Sequence, residues 1–266
     1  MQLSEEQIER YSRNIVLAEI GPKGQERIRQ GGVLIVGAGG LGSPAALYLA
    51  AAGIGRLGII DPERVELSNL QRQILHDTPS LGRPKVESAG KRLTSLNPDT
   101  GLELIQDRLA AGNALDLVRR YDFVIDGSDN FAAKFLVNDA CVIEGVPFCH
   151  AGVTGFRAQV LTRLVRPEKS ACLRCILTDM PSGGETENCA RSGVLGAVAG
   201  LVGSIQAAEA LKVIAGAGEP LAGRLLVIDA LAMSFRTVKV VRDPECPVCS
   251  ARPKITALDD SLYHQP

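Results

Sequence analysis

Residues 31–61 read GGVLIVGAGGLGSPAALYLAAAGIGRLGIID and contain two apolar runs separated by a glycine-rich turn and an alanine-rich stretch. The first run, Val33–Val36, is wholly apolar and rich in β-branched residues, which is typical of a parallel strand buried on both faces. The glycines after it have G-x-G-x-x-G spacing, which allows a tight turn and a close approach of the backbone to a phosphate. They are Gly37, Gly39 and Gly42, with Gly40 between them. The stretch therefore predicts a nucleotide-binding unit.

The rest of this stretch predicts a helix and a second strand. Ser43 is a residue type that caps helices, and Pro44 suits a first helical turn. A second apolar strand, Leu57–Ile60, ends at Asp61, about 20 residues beyond the glycines. A carboxylate in this position is expected to bind a ribose hydroxyl.

Three polar segments follow neighbouring predicted strands and indicate which nucleotide is bound. They are SNLQRQ at 68–73, GRPK at 82–85 and DGSDN at 126–130. The glycine pattern alone favours a nicotinamide-dependent oxidoreductase. Two cations, two amides and an acid at strand ends instead suit a triphosphate and its magnesium ion. No Walker A pattern occurs in the sequence, so a P-loop enzyme is not expected.

Each of these polar side chains also has an ordinary structural interpretation. Arg72 and Lys85 would be surface cations, and Asp129 would cap the helix after it. Activation of a carboxylate by ATP requires positive charge around the phosphates and an acid that holds Mg²⁺. We therefore predict Arg72 and Lys85 as the phosphate clamp and Asp129 as the magnesium ligand. Further nucleotide contacts are predicted for Asn69, Gln73 and Asn130.

From Arg10 to Cys249 the chain resembles the MoeB/ThiF/HesA family of ATP-dependent activating enzymes. The glycine turn and the three polar segments carry the resemblance. It implies that the protein adenylylates the C-terminal Gly-Gly of a small β-grasp, ubiquitin-like sulfur carrier and releases pyrophosphate. Sulfur from a cysteine desulfurase or a rhodanese-type donor would then give a thiocarboxylate.

The resemblance also implies a homodimer. In this family the second arginine of R-Y-x-R-Q reaches the phosphates of the other subunit, and here that residue is Arg13 in the sequence RYSRN. Asn14 replaces the usual glutamine. Arginines near a chain terminus are otherwise most often solvated.

Two Cys-x-x-Cys pairs separated by 70 residues form the second strong pattern. Four thiolates in two such pairs suit a closed, tetrahedral Zn²⁺ site with a structural role. A disulfide or a redox pair is the alternative, although neither pair lies in a thioredoxin-like context. The four residues are Cys172, Cys175, Cys246 and Cys249.

Cys189 is predicted to be a different kind of cysteine. It follows a polar stretch, lies near Arg191 and precedes a predicted helix, and each feature favours the thiolate. The resemblance implies that it joins covalently to the carrier or transfers sulfur. An isolated cysteine is more commonly a small buried hydrophobe, which is the interpretation for Cys141 and Cys149. No role is assigned to His76 or His150, because neither has metal or triad spacing.

The element pattern predicts an α/β fold with a Rossmann-like, mostly parallel sheet, crossover helices and antiparallel C-terminal strands. The predicted helices are Ser4–Tyr11, Lys85–Leu96, Asn113–Val118 and Phe131–Ile143. Strands are predicted at Leu102–Ile105, Tyr121–Ile125, Pro147–Ala151, Phe156–Val165, Arg224–Asp229 and Ser234–Val241.

We predict one ThiF-type domain spanning residues 1–266. Its parts are a helical arm at 1–30, a nucleotide-binding half at 31–150, a partner-binding and zinc-bearing half at 151–250 and a loose tail at 251–266. Within the second half, Glu168–Arg191 is predicted to be a mobile surface loop.

Composition excludes some classes of protein. The chain has 266 residues and a formal net charge of −1, which argues against nucleic-acid binding. The apolar stretch Gly193–Ala208 is shorter than the roughly 20 residues that cross a bilayer, so it is expected to be a core helix or a subunit interface. Seven cysteines without a signal peptide predict a reducing, cytoplasmic location.

Several alternatives stay open on the sequence. A nicotinamide-dependent oxidoreductase would leave Arg72, Lys85 and Asp129 without a function. A non-catalytic subunit of an activating enzyme would typically lose those positions, and the tRNA-modifying dehydratases of the family generally lack the paired Cys-x-x-Cys site. The context Asn-Cys-x-x-x-Gly-Val favours the thiamin branch over the molybdopterin branch.

Overall fold

The glycine-rich stretch lies at the centre of a single mixed β-sheet. The computed structural model describes residues 3–165, 170–179 and 193–263. In this part of the chain the sheet has eight strands in the order β3-β2-β1-β4-β5-β6-β7-β8. They are β1 Gly32–Val36, β2 Arg56–Ile60, β3 Gly101–Ile105, β4 Phe123–Asp126, β5 Phe148–Thr154, β6 Arg157–Arg163, β7 Arg224–Asp229 and β8 Ser234–Lys239.

The direction of the strands changes at β5. β1 to β5 are parallel to one another, whereas the β5–β6, β6–β7 and β7–β8 pairs are antiparallel. The reversal occurs at Gly155, which has a φ of 58° and forms the hairpin between β5 and β6. The predicted fold class is confirmed.

Helices cover both faces of the sheet. Their bounds are α1 Glu5–Arg10, α2 Ser12–Ile15, α3 Gly21–Gln30, α4 Gly42–Ala51, α5 Lys85–Leu96, α6 Ala111–Val118, α7 Phe131–Glu144 and α8 Gly196–Ala215. One apolar core lies between the sheet and α3, α4, α5 and α8, and a second lies under α6 and α7. The predicted helix at Ser4–Tyr11 is present as α1 and starts with a capping box, in which Ser4 Oγ accepts from Gln7 N and Gln7 Oε1 accepts from Ser4 N.

α8 is longer than its predicted apolar stretch, because it continues to Ala215 and has 20 residues. By length and composition alone it could span a membrane. Val198, Val202 and Ala210 are instead buried against α4 and the sheet, which confirms the prediction of a core helix for one face. The opposite face exposes Leu201.

The predicted cap of α4 is wrong. Ser43 makes no capping hydrogen bond, and its Oγ lies 3.5 Å from the carbonyl oxygen of Ala38. The turn before α4 is held from outside the helix, because Asp61 Oδ2 accepts from Ala38 N at 2.8 Å. Gly42 is required here, since a Cβ would overlap the carbonyl oxygen of Gly37.

The predicted loop and the predicted loose tail both need correction. Residues 170–174, inside the Glu168–Arg191 stretch, are buried, and Leu173–Cys175 forms a 3-10 turn. Residues 168, 169 and 180–191 lie outside the described residues. Residues 251–262 of the tail are exposed or half-buried, but the described part is anchored at its end, where Tyr263 is buried and its hydroxyl donates to Asp139 Oδ2 at 3.0 Å. Residues 264–266 of the predicted tail lie outside the described residues.

Candidate active site

A cleft of about 1770 Å³ opens at the carboxyl ends of the parallel strands and continues over the antiparallel half of the sheet. This is where ligands bind in open α/β sheets. Most of the predicted nucleotide contacts line it, namely Gly37, Gly39, Gly40, Asp61, Arg72, Gln73, Lys85, Asp129 and Asn130. The cleft therefore brings together residues that are up to 93 positions apart, from Gly37 to Asn130.

Three predicted residues do not line the cleft. Gly42 lies in the first turn of α4 and serves the packing of the glycine turn. Asn69 is buried, and its Oδ1 accepts from Glu66 N at 3.1 Å, so it closes its own turn. Arg13 lines a separate groove of about 370 Å³ together with Tyr48 and Leu211.

Hydrogen bonds hold the glycine turn from two sides. Asp61 accepts from Ala38 N through Oδ2 and from Glu63 N through Oδ1, both at 2.8 Å. A carboxylate offers about four lone-pair sites, so ribose hydroxyls can still donate to it. On the other side, His76 Nε2 lies 3.0 Å from the carbonyl oxygen of Ala38, and its Nδ1 lies 3.0 Å from Ser88 Oγ. His76, which had no role in the sequence analysis, therefore helps to shape the turn.

Burial lowers the pKa of His76 from its ordinary value of 6.5, against the raising effect of its hydrogen bond with the Ala38 carbonyl oxygen. Burial also lowers the pKa of His150. Below about pH 6.5 the unfolded chain therefore binds protons that the folded chain does not, and the free energy of unfolding should fall as the pH falls. Each histidine contributes at most about 1.4 kcal/mol per pH unit to the free energy of unfolding.

Urea unfolding at pH 7.5 and 5.5 measures this pH dependence of the free energy of unfolding, and His76→Gln should make it shallower. An unchanged pH dependence in that variant would contradict the assignment.

Two cations line the cleft together with the glycine turn. Lys85, the first residue of α5, is 2% exposed, and its Nζ lies 2.6 Å from Oε2 of the exposed Glu63. Arg72 is half-buried and donates through Nη1 to the carbonyl oxygen of Ser68 at 3.0 Å. Gln73 Oε1 is buried and has no hydrogen-bond partner in the described part of the chain. Cations and an unpaired acceptor fit a phosphorylated ligand that also carries hydroxyl donors.

Asp129 is exposed and lines the same cleft. The cap of α7 is Asn130, whose Oδ1 accepts from Ala133 N at 2.9 Å, so the interpretation of Asp129 as that cap is wrong. The Asp129 carboxylate accepts only a long hydrogen bond, 3.4 Å, from Asn130 Nδ2 among the hydrogen bonds found in the described residues. An exposed carboxylate beside a phosphate site is a suitable ligand for Mg²⁺.

A buried charged network lies beneath Asp129. Asp126 is fully buried, and its Oδ2 lies 2.6 Å from His150 Nδ1 and 3.4 Å from Lys134 Nζ. Burial alone would raise the pKa of Asp126, but Lys134 and His150 outweigh that effect and hold it well below its usual range. Lys134 Nζ also donates to the carbonyl oxygens of Ser128 and Ala151, both at 2.7 Å. The network fixes the loop that carries Asp129.

The four paired cysteines form one cluster. Their sulfur atoms all lie within 4.8 Å of one another, with Sγ separations of 3.8, 3.6 and 3.5 Å for the three closest pairs. A tetrahedral zinc site with Zn–S bonds of 2.3 Å requires sulfurs about 3.8 Å apart. The six described cysteines are free, which contradicts the disulfide alternative for these four. The predicted ligand set is therefore assembled, and Cys189 lies outside the described residues.

A comparison with protein families matches residues 11–248 to the ThiF family. The chain belongs to the ThiF family. A sulfur carrier protein adenylyltransferase from Thermus thermophilus is 46% identical over 263 residues, which are 98% of this chain and 97% of that protein. A SAMP-activating enzyme E1 from Haloferax volcanii is 45% identical over 94% of this chain and 91% of its own length.

A longer relative, the adenylyltransferase and sulfurtransferase MOCS3 from Sus scrofa, is 46% identical over 97% of this ThiF-family chain and 56% of its own length. The chain thus spans about half of that protein. Among solved structures, MccB from E. coli superposes with a TM-score of 0.81 at 26% identity, over 94% of this chain and 74% of MccB. A crystal structure of MccB with ATP gives a TM-score of 0.79 at 25% identity, over 91% and 73%.

The sequence analysis of this ThiF-family protein missed four residues of the site. Glu63, Lys134 and His150 line the cleft, and Asp126 lies directly below it. Asp126 stands within the DGSDN segment but was not singled out from its neighbours. The position of His150 follows from sheet register, because Asp126 of β4 pairs with His150 of β5.

Proposed function

We propose that this ThiF-family protein is a nucleotidyltransferase that adenylylates the C-terminal Gly-Gly of a ubiquitin-like sulfur carrier with MgATP. The observation that carries the proposal is the cleft, because Arg72, Lys85 and Asp129 all line it together with the glycine turn. The same cleft continues over the open face of β5 to β8, which offers a surface for a protein tail. Relatives named sulfur carrier protein adenylyltransferase and SAMP-activating enzyme E1 support the same activity.

The proposed chemistry transfers AMP to a carboxylate. The terminal carboxylate of the carrier attacks the α-phosphorus of ATP, the bond from that phosphorus to the bridging oxygen breaks, and pyrophosphate leaves. Arg72 and Lys85 stabilise the negative charge on the phosphates, which is the largest requirement of such a step. Asp129 would hold Mg²⁺, which supplies further positive charge to the phosphate oxygens.

Arg13 can take part in the proposed reaction only at the cleft of a second copy of the chain. It lies in the separate groove beside Tyr48 and Leu211, away from the cleft of its own chain. The exposed face of α8 borders the same groove, since Ser204, Ala208 and Leu211 line it. We therefore propose a homodimer in which Arg13 of one protomer reaches the phosphates bound by its partner.

We assign Zn²⁺ to the four-cysteine cluster. Cys172, Cys246 and Cys249 are buried and Cys175 is half-buried. Four thiolates complete a tetrahedral coordination, which leaves no open position for a substrate. The sulfur spacing supports this metal, and a site of four thiolates is typical of a structural role. Thiolates that bind zinc must stay reduced, which supports a cytoplasmic location.

Carrier-dependent exchange between ATP and labelled pyrophosphate tests the adenylylation. We expect exchange with a β-grasp carrier that ends in Gly-Gly, and no exchange when the two glycines are deleted. Exchange that is independent of the carrier, or absent with every Gly-Gly carrier from the source cell, would contradict the proposal. Titration with NADH serves as a control for the nicotinamide alternative.

Cys189→Ala is expected to separate adenylylation from sulfur transfer. A thiolate at this position would displace AMP from the acyl-adenylate, or relay sulfur from a desulfurase or rhodanese-type donor. The variant should therefore keep pyrophosphate exchange near the wild-type rate and form little thiocarboxylate, which mass spectrometry of the carrier measures. Cys141→Ala, at a buried cysteine outside the cleft, is the matched control. A collapse of exchange in Cys189→Ala would make the residue structural.

A pull-down from the source cell would identify the carrier, and its identity would show whether it serves the thiamin or the molybdopterin branch.

A further inference from the structure

The segment 250–263 lies beyond the ThiF match, which ends at residue 248, and yet it folds back onto the nucleotide-binding half. Two hydrogen bonds anchor it. Tyr263 donates to Asp139 Oδ2 of α7 at 3.0 Å, and Asp260 Oδ1 accepts from Ala111 N at the start of α6 at 3.0 Å. Leu258 packs against the core under these two helices. The segment is therefore attached to the two helices that flank one end of the cleft.

The anchor for Tyr263 is a buried ion pair. Asp139 is fully buried, and its carboxylate accepts hydrogen bonds from Arg174 Nε at 2.8 Å and from Arg174 Nη2 at 2.7 Å. Arg174 is 5% exposed and lies between two of the clustered cysteines, Cys172 and Cys175. Burial raises the pKa of Tyr263, and the Asp139 charge raises it further, so the hydroxyl stays a proton donor. The Tyr263 hydroxyl is held in place, because a buried ion pair that loses one of its hydrogen-bond partners is destabilised.

Asp260 and Tyr263 also line the cleft itself. They share this end of it with Asp107, Leu109 and Phe131, which follow the carboxyl ends of β3 and β4. Leu109 and Tyr263 belong to one apolar cluster, with Phe131 packed against it. Leu109, Phe131 and Tyr263 therefore give this end of the cleft, the apolar end, one apolar and aromatic wall, beside the charged side chains of Asp107, Arg108 and Asp260.

The apolar end lies where the base of a bound nucleotide is expected. Phosphates belong at the glycine turn, and a ribose on Asp61 would lie at the end of β2. Asp61 N donates to the carbonyl oxygen of Ile105, the last residue of β3, so the chain at Asp107 to Leu109 begins beside the expected ribose. A base attached to that ribose, directed away from the phosphates, enters the apolar end.

We propose that Tyr263 and the segment around it form the wall against which the base of the bound nucleotide packs. This inference rests on the proposed use of ATP. The described segment 258–263 is then a part of the binding site, attached through Asp139 and Arg174 to the neighbourhood of the cysteine cluster. Aromatic side chains pack well against bases of any identity, so the wall contributes affinity rather than a choice between purines.

Nucleotide binding to the purified full chain tests this by calorimetry, without any carrier. Tyr263→Ala should weaken ATP binding about tenfold, because loss of one aromatic contact to a base commonly has an effect of that size. Inorganic tripolyphosphate has no base and should bind equally well to wild type and variant. Tyr263→Phe keeps the ring and should weaken ATP much less than Tyr263→Ala. Ser261→Ala, at an exposed position of the same segment, is the matched control.

Each outcome decides the proposal. Unchanged ATP affinity in Tyr263→Ala would overturn it, and so would equal weakening of ATP and tripolyphosphate, which indicates a general loss of structure. Failure of adenylylation shows separately, as wild-type protein that gives no pyrophosphate exchange with any carrier.

Discussion

Lys85→Ala and Asp129→Ala should each lower carrier-dependent pyrophosphate exchange by about 100-fold or more, the effect of removing one charged group that stabilises a transition state. Lys85 is the larger expected loss, because its ammonium is buried at the start of α5 in the lining of the cleft. Asp129 is exposed at the cleft, so its substitution should also raise the Mg²⁺ concentration needed for exchange. Initial exchange rates at several Mg²⁺ concentrations measure both effects.

The chain offers a close control for Lys85. Lys91 lies on the same helix α5 and is exposed, so Lys91→Ala changes the same charge without reaching the cleft. It should keep the wild-type rate. Circular dichroism and the thermal midpoint of each variant show whether the fold is kept. Retained exchange in Lys85→Ala or Asp129→Ala would remove that residue from the mechanism.

Cys172→Ser is expected to abolish metal binding and to destabilise the fold. The cluster joins the turn at 173–175 to residues near 246–249, so the metal would hold together two segments that are distant in sequence. Metal analysis of wild-type protein purified under reducing conditions should give about one zinc per chain. We expect the variant to contain none and its Tm to fall by about 10 °C or more, which corresponds to a loss of several kcal/mol.

Substitution of a cysteine outside the cluster separates loss of metal from loss of packing. Cys149 is fully buried in β5, so Cys149→Ala should lower the Tm through a small cavity and keep the full zinc content. If wild-type protein contains no zinc, the four-thiolate assignment is wrong. If Cys172→Ser keeps both its zinc and its Tm, the cluster is not what holds the metal.

Local patterns in the sequence were enough to predict most elements of the fold. The helix Lys85–Leu96 has the predicted bounds, because an apolar periodicity begins after Pro84 and ends before Asn97-Pro98. The glycine turn lies at the cleft and the two cysteine pairs come together, as their fixed short spacings predict, while their roles in binding stay predictions.

The errors share one physical cause, which is contact between residues distant in the sequence. The cap expected from Ser43 is replaced by a contact with Asp61, which a local pattern does not reveal. The tail has no periodicity, and it docks because Tyr263 meets Asp139 and Arg174 at separations of 124 and 89 positions. A polar segment in isolation resembles a loop, and its burial is decided by a partner elsewhere in the chain.

The width of the antiparallel half of the sheet sets a length requirement for a peptide that would cross from the β8 edge to the proposed phosphate site. Between β4, which carries Asp126 at its end, and the edge strand β8 there are four interstrand spacings. At about 4.8 Å each they span about 19 Å. An extended chain covers about 3.3 to 3.6 Å per residue. A carrier resting at the β8 edge therefore needs an extended end of about six residues, and a carrier with a shorter end would bind without reacting.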